Sequence, residues 1–504
     1  MSYLLGGDRE QLRYFSLEGS IPEESLVRVI DRFIEIQDFA ALGFQNVVPA
    51  ETGRPSYPPK ALAKLYVYGY ENGIRSSRKL ERETLRNLEV MWLMNELRPD
   101  YKTIAEFRKN NIRPLQKLFR EFVKLCKSWY LIGGEVIAFD GSKFKASNNK
   151  KTNFSRKKLN DRIARLDAQI NEYLQKLDEN DLTEKRSKVD TAKLLDELNS
   201  RKDRYEDYLK TLDKTGENEI SEVDPDARLM GNARGGVDVC YNIQSATDGK
   251  HHIVTNYDVI KSPVDHGQLG SMVKKVQKTL KIRRFYAIAD KGYYNGEDLK
   301  RCKRLKVKTI VSKQKGSDPK EQPEQFHNDK FIYNKEPDTY TCPVGRTLYP
   351  HSKKTAQRRH FYNKTACKDC PYMDKCTDGE RPFRAVIRSQ YGDIYDDVDK
   401  RTKENTGLYK LRQQIVEHPF GTVKHSMNGG YFLLRTRRKV RTEVALLFLG
   451  YNLKRAYNIL GFREIMARLD AFSERFFRCF FFFRKLYFNV KLIHLYSPSL
   501  LEFL

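Results

Sequence analysis

Apolar residues recur at three- and four-residue spacing over most of the first 125 positions, the period of a helix packed on one side. SIPEESLVRVIDRFIEI opens with a serine, a proline and two acids, which suit a helix N-terminus. KALAKLYVYGYENG, SSRKLERETLRNLEVMWLMNEL and TIAEFRKNNIRPLQKLFREFVKLC repeat the helical pattern after a proline-rich loop. At Glu135 the texture changes. EVIAFDGS is a short apolar run between Gly133-Gly134 and Gly141, which predicts a buried strand ending in Asp140. Two heptad-like stretches follow, one carried by Leu159, Ile163, Leu166, Ile170 and Leu177, the other by Leu198, Tyr205, Leu209 and Leu212. They predict an antiparallel helical hairpin inserted between strands. Alternation then predicts a β-hairpin around Asp248-Gly249. Next come a helix over GQLGSMVKKVQKTL, a strand ending in Asp290, a helix over NGEDLKRCKRL and a strand over VKTIVSK. Residues 314–400 read as polar and irregular. RTKENTGLYKLRQQIVEHPFGTVKHS predicts a helix bent near Pro419, and RRKVRTEVALLFLGYNLKRAYNILG a long amphipathic helix covering the sheet. The whole predicts a mixed α/β core behind an all-α N-terminal region.

Composition adds a partner class. The chain has 504 residues, and 93 Lys+Arg against 66 Asp+Glu leave a formal charge of +27. That surplus favours a polyanion, since each neutralised phosphate releases counterions. At 39% hydrophobic the chain is too apolar for a disordered basic tail. MSYLLGGDREQLRYF lacks the basic-then-apolar order of a secretory signal, and no apolar run reaches the ~18 residues of a bilayer span. A cytoplasmic location without membrane contact is expected. The Phe-rich tail after Phe476 is broken by Arg478, Arg484, Lys485 and Lys491 and reads as a buried or partner-covered segment. The N-terminal helices suit DNA docking and dimerisation or packing equally, with Tyr66, Tyr68 and Tyr70 expected in the core.

Cysteines divide in two. Cys126, Cys240, Cys302 and Cys479 stand alone and read as buried thiols. Cys342, Cys367, Cys370 and Cys376 are bunched, with a tight C-x₂-C after a long first gap, and suit a structural Zn²⁺ in a small zinc-ribbon-like insertion. Unmetallated thiols are the alternative.

Asp140 and Asp290 each close an apolar run, and each is followed by a glycine within two positions. Each alone suits a turn start. Together, at the carboxyl ends of strands, they suit a hard cation such as Mg²⁺. Glu417 is the candidate third acid, with Lys424 seven residues on and Arg412 and Tyr409 one to two turns before. His418 abuts it. Arg435, Arg437, Arg438, Lys439 and Arg441 crowd the run after this helix, and Lys143, Lys145, Lys150 and Lys151 follow the first aspartate. Beside a nuclease site these would grip phosphates; elsewhere they would form a solvated face.

The order of the pieces resembles the RNase H-like core of bacterial insertion-sequence transposases of the DDE type. VIAFDGSKFKA, GGVDVCYNIQSATDGKHHIV, YAIADKGYYN and the block from YKLRQQIVEHPFGTVKHSMNGGYF to LGYNLKRA carry the resemblance. PSYPPKALAKLYVYGYENGIRSSRKLERE with YKTIAEFR is similar to the helical N-terminal domain of the same proteins. Tyr409, Arg412, Glu417 and Lys424 resemble the Tyr–Arg–Glu–Lys signature of one large branch, except that four residues rather than three separate Arg412 from Glu417. The resemblance implies a helical domain over 1–130 and a catalytic core over 131–314 and 401–465. It leaves a hairpin insertion at 155–215, a Cys-rich insertion at 315–400 and a tail at 466–504. It further implies Asp140, Asp290 and Glu417 as catalytic ligands of two Mg²⁺ (or Mn²⁺) ions, with Tyr409, Arg412 and Lys424 on DNA. Double-stranded DNA would be the partner, as element ends and as target, held by a homodimer at the nucleoid. The implied reaction is hydrolytic cutting at the ends, then transesterification into target DNA. A catalytically silent, DNA-binding descendant and a stand-alone RNase H-like nuclease remain open.

Overall fold

The computed structural model describes residues 14–49, 51–53, 55–179, 185–231, 235–313, 323–353, 357–377 and 381–496, with backbone alone for 176–179, 185–192 and 474–496. Five main helices build the N-terminal region: α1 (Leu26–Glu35), α2 (Pro59–Glu71), α3 (Ser77–Arg86), α4 (Tyr101–Asn110) and α5 (Ile112–Ser128). Ser25 caps α1 by accepting from the Val27 amide, and Asp100 caps α4 through the Thr103 amide at 2.8 Å. Proline at its first position starts α2. Because α2 is buried on nearly every side, Tyr66, Tyr68 and Tyr70 lie in the core, as their spacing suggests. The Tyr66 hydroxyl donates to the Ile104 carbonyl at 2.7 Å, and Arg108 donates to the Tyr70 hydroxyl at 3.1 Å.

The sheet comes next. It is assembled from β1 (Val136–Lys145), β2 (Arg228–Gly231), β3 (Val237–Asp248), β4 (Val254–Ile260), β5 (Tyr286–Ala289) and β6 (Lys308–Val311). β3 pairs antiparallel with β1, and both β2 and β4 pair with the far edge of β3. On the other side of β1, β5 and then β6 run parallel to it. The predicted end of β1 is corrected: Asp140 does not close the strand, which runs on to Lys145. Antiparallel pairing to β3 continues past Asp140, whereas parallel pairing to β5 stops at Phe139 opposite Ala289. Helix α8 (Leu269–Leu280) packs on β4, and α9 (Gly296–Arg304) joins β5 to β6.

The hairpin stands where the heptads place it. α6 (Arg156–Glu179) and α7 (Lys185–Thr215) lie against each other, with Leu159, Leu166, Leu198 and Leu212 buried. Asp167 meets Lys202, and Arg162 donates to the Tyr205 hydroxyl, so residue numbers rise on one helix as they fall on its partner.

Residues 323–389 are less irregular than their composition predicts. Short strands β7 (Ile332–Asn334), β8 (Thr339–Thr341), β9 (Thr347–Pro350), β10 (Arg358–Tyr362) and β11 (Val386–Ser389) form an antiparallel sheet in reverse chain order. Phe331, Tyr340, Leu348, Phe361 and Val386 make its small core. The chain returns through α10 (Gly392–Glu404) and α11 (Thr406–Gly421), which contains Pro419 and runs into a π-turn over Thr422–Ser426.

Helix α12 (Arg437–Tyr496) is interrupted at Gly461, whose φ of 75° lies outside the helical range. Its first half is not amphipathic, as its sequence predicts, but buried all round from Thr442 to Leu453. One side packs on α5, α2 and α1, the other on β4, where the Asn452 side chain exchanges hydrogen bonds with the Val254 backbone. One apolar core therefore runs from the N-terminal helices through α12 to the sheet. Among the described residues no helix is long and apolar enough to cross a membrane. The side chains of the Phe-rich tail and Cys479 fall outside the described residues.

Candidate active site

Register places the first two acids. Ala138 pairs with Ile288 and Phe139 with Ala289 across the parallel β1–β5 pair, so the next position on each strand brings Asp140 beside Asp290. Side chains alternate along a strand, so Asp140 shares the face of Ala138, and Asp290 that of Ile288. Ala138, Ile288 and Ile310 on that face pack under Ile415 and Val416 of α11, with Tyr409 at the edge of the cluster. The pair thus sits where an apolar strip beneath a helix gives way to polar surroundings.

Electrostatics mark the pair as costly. Burial pushes the Asp140 carboxyl up to about 7; Arg412 opposes this, while Asp290 and then Asp265 add to it. Burial also raises Asp290, whose Oδ1 accepts from the Gly292 amide at 2.9 Å. The Arg412 guanidinium stands 3.8 Å from Asp140, and the Lys424 ammonium donates to Ser142, two residues along β1, at 2.6 Å. Lys424 also lies 4.8 Å from the centre of the Phe144 ring, and its burial lowers its pKa.

Glu417 is placed differently. It is exposed, accepting from Gln413 at 2.8 Å one turn earlier. Five residues from Arg412 are about 140° around a helix. Arg412 therefore shares the sheet-facing stripe with Val416, and Glu417 does not. A three-residue gap would have put arginine and glutamate on one face. Among the described residues, no group of three or more His, Cys, Asp or Glu side chains is arranged to hold a metal ion.

Two family descriptions match the chain: a transposase domain (DUF772) over residues 15–110 and a transposase DDE domain over residues 341–457. Both matches are to transposase domains, and together they support an insertion-sequence DDE transposase. The DDE match spans the Cys-rich module, α11 and the first part of α12, and leaves Asp140 and Asp290 outside it. No curated protein matches significantly. A solved piggyBac transposase synaptic complex with hairpin DNA aligns over 89% of this chain and 82% of its own, at 10% identity and a TM-score of 0.24.

Around the pair, the chain carries several further groups. Arg435, Arg437, Arg438 and Lys439 are exposed at the start of α12, whereas Arg441 turns inward to Asp258. Lys145 and Lys150 both approach Asp238, at 3.5 and 3.7 Å. Ser147, Asn148, Asn149, Thr152, Tyr431 and Arg435 help to line a groove of about 460 Å³ beyond the end of β1. His418 turns away from the acids to the Tyr451 hydroxyl, 2.8 Å from its Nδ1. In the Cys-rich module, Cys342, Cys367, Cys370 and Cys376 line one small cavity of about 30 Å³. Burial pushes the Cys376 thiol up to about 11, opposed by Arg384 and aided by the other three sulfurs. Cys126, Cys240 and Cys302 are buried singly, as expected.

One carboxylate escaped the sequence reading. Asp265, between β4 and α8, accepts from Asn242 at 2.8 Å and Gln244 at 2.6 Å. Its signal was Gly141: a glycine inside a strand marks a close approach, and here the approaching group is that carboxylate.

Proposed function

We propose that this chain is a transposase that cuts DNA strands at the Asp140–Asp290 pair and joins the freed ends to a second DNA. The observation that carries the reading is the parallel register, which sets two carboxylates side by side at the end of β5, under α11 with Arg412 and beside the π-turn with Lys424. Antiparallel β3, with β2 and β4 antiparallel on its far edge, on one side of β1 and two parallel strands on the other also support an RNase H-like core.

The pair suits a divalent cation. Mg²⁺ is commonly held by one or two carboxylates, with water and substrate phosphate oxygens completing its shell. Two crowded, half-buried carboxylates, one raised to about 7, supply such donors without a third protein ligand. When bound, the metal lends Lewis acidity to a phosphodiester and lowers the pKa of an attacking water. The chain's own residues do the rest. Asp140 and Asp290 fix the cation against the sheet. Arg412 and Lys424 flank them and neutralise charge on the phosphate, and Arg435, Arg437 and Arg438 track the backbone further out. Hydrolysis forms a bond from water oxygen to phosphorus, breaks the P–O3′ bond and leaves a 3′-hydroxyl and a 5′-phosphate. In joining, that 3′-hydroxyl attacks a target phosphodiester and displaces its 3′-oxygen. Double-stranded DNA is thus the substrate, and pairing two ends calls for two copies of the chain.

A structural Zn²⁺ in the Cys-rich module rests on donor type alone: Cys342, Cys367, Cys370 and Cys376 line one cavity without being gathered into a metal-holding group.

Mg²⁺- or Mn²⁺-dependent cutting and strand transfer on DNA carrying the element's ends tests the reading, with Asp140→Ala, Asp290→Ala and Glu417→Ala beside wild type. Cleavage by wild type, lost in Asp140→Ala and Asp290→Ala while DNA binding persists, supports it; loss in Glu417→Ala as well adds that acid to the centre. The exposed position of Glu417 favours a second reading, a catalytically silent DNA-binding descendant. Tight binding without cleavage in wild type selects that one.

A further inference from the structure

Asp265 lies beneath the backbone that carries both aspartates. A methyl group built on Gly141, the residue after Asp140, would sit 2.2 Å from Asp265 Oδ1. One built on Gly292, two residues after Asp290, would lie 3.0 Å from Asp290 Oδ1 and 3.5 Å from Asp265 Oδ2. The two glycines leave room for a carboxylate to reach under both strand ends.

That carboxylate is clamped. Asn242 Nδ2 and Gln244 Nε2 both donate to Oδ1, at 2.8 and 2.6 Å. Gln244 also donates to Asn242 Oδ1 at 3.0 Å, and the Tyr293 hydroxyl donates to Gln244 Oε1 at 2.5 Å, which orients the amide. Asn242 is 2%, Gln244 1% and Tyr293 0% exposed. Three buried polar side chains from β3 and the loop after Asp290 are thus committed to holding one oxygen of Asp265. The other oxygen is left facing the Gly292 side, towards Asp290.

Packing alone does not account for a charge here. An asparagine at 265 would accept the same two amide hydrogens without repelling Asp140 and Asp290. Asp265 instead adds a third negative charge to a crowded pair, which is unfavourable in the protein alone and favourable once a cation arrives.

We propose that Asp265 is a positioning residue of the acid centre. From beneath the strands, its clamped carboxylate raises the affinity of the Asp140–Asp290 pair for a divalent cation. This rests on the strand-cleavage reading above.

Mn²⁺ binding to the full-length chain, followed by the loss of the free-ion EPR signal, tests it without any turnover. Asp265→Asn keeps both amide acceptors and removes only the charge. Its Mn²⁺ affinity is expected to fall about tenfold, with the metal-free melting temperature equal to or above that of wild type and Asp140→Asn as the reference for loss of the centre. Equal Mn²⁺ affinity in Asp265→Asn and wild type, with Asp140→Asn weakened, overturns the inference and spares the reading. Absence of Mn²⁺ binding in wild type overturns both. Should Asp265→Asn not fold, Gln244→Met is read instead. It keeps the charge and removes half the clamp, so a severalfold fall supports the inference and unchanged affinity overturns it.

Discussion

The aspartate pair and the cysteine cavity both gather side chains of types that can bind metals, and they are built in opposite ways. Asp140 and Asp290 stand on a six-stranded sheet whose register is fixed by buried neighbours on both faces. The four cysteines come from a strand end, two short helices and the turn between them, over a core of only five buried side chains. The large core supports the acids at the cost of mutual repulsion, whereas the module has little apolar area and gains most from a cross-link. A site built on strand register is in place before any ligand arrives, whereas one built on loops would be completed by its ligand.

Four experiments break or sharpen that contrast. Asp290→Ala should lower metal-dependent strand cleavage by at least about a thousandfold with the fold intact. Residual cleavage within tenfold of wild type would remove the pair from the chemistry. Cys370→Ser, or treatment with a zinc chelator, should raise the rate of protease cutting between residues 323 and 389 by about a hundredfold. The rest of the chain should keep its cutting pattern on a gel. Unchanged rates, with no zinc found by elemental analysis, would show a module standing on its own five-residue core.

The third test concerns pH. Burial pushes the Asp140 carboxyl up to about 7 in the fold, well above the ordinary carboxylate range, so the folded state holds its proton more tightly. That stabilisation is full below about pH 4 and is lost as pH rises through 7. Asp140→Asn should therefore raise stability by about 1–3 kcal/mol at pH 8 relative to its effect at pH 4. Thermal melts at the two pH values without metal check it. A destabilised variant at pH 8 would mean that Arg412 compensates the charge fully. The smallest effect belongs to Lys424→Met, which should weaken DNA binding equally across sequences and reduce the slope of log affinity against log salt by about one. An unchanged slope would confine Lys424 to its contacts with Ser142 and Phe144.

Local pattern accounts for much of the architecture. The Leu159–Leu212 periodicity, the Asp248-Gly249 hairpin and the strand and helix order after Phe285 follow from residue spacing over a few turns, where backbone geometry alone dictates which side chains share a face. The short strands between Ile332 and Ser389 were hidden because runs of three to five residues carry too little alternation to read. The first half of α12 looked amphipathic because its polar residues, Glu443 and Asn452 among them, are satisfied by distant partners: Arg75 and the Leu434 amide for one, Val254 for the other.

The site divides along the same line. Asp140, Asp290 and Glu417 were legible as acids at the ends of apolar runs and on a helix, because element order and family resemblance need only the order of residues. Their mutual arrangement was not legible. Whether Glu417 shares a face with Arg412 depends on one residue of helical spacing, and whether Asp140 meets Asp290 depends on the register between strands 150 positions apart. Asp265 was invisible for the same reason. Its partners Asn242, Gln244, Gly141 and Gly292 come from three other segments, and only the packed sheet brings them within hydrogen-bond reach. Side-chain identity and short-range period are written along the chain; contact between distant segments is set by the packing that excludes water from all of them at once.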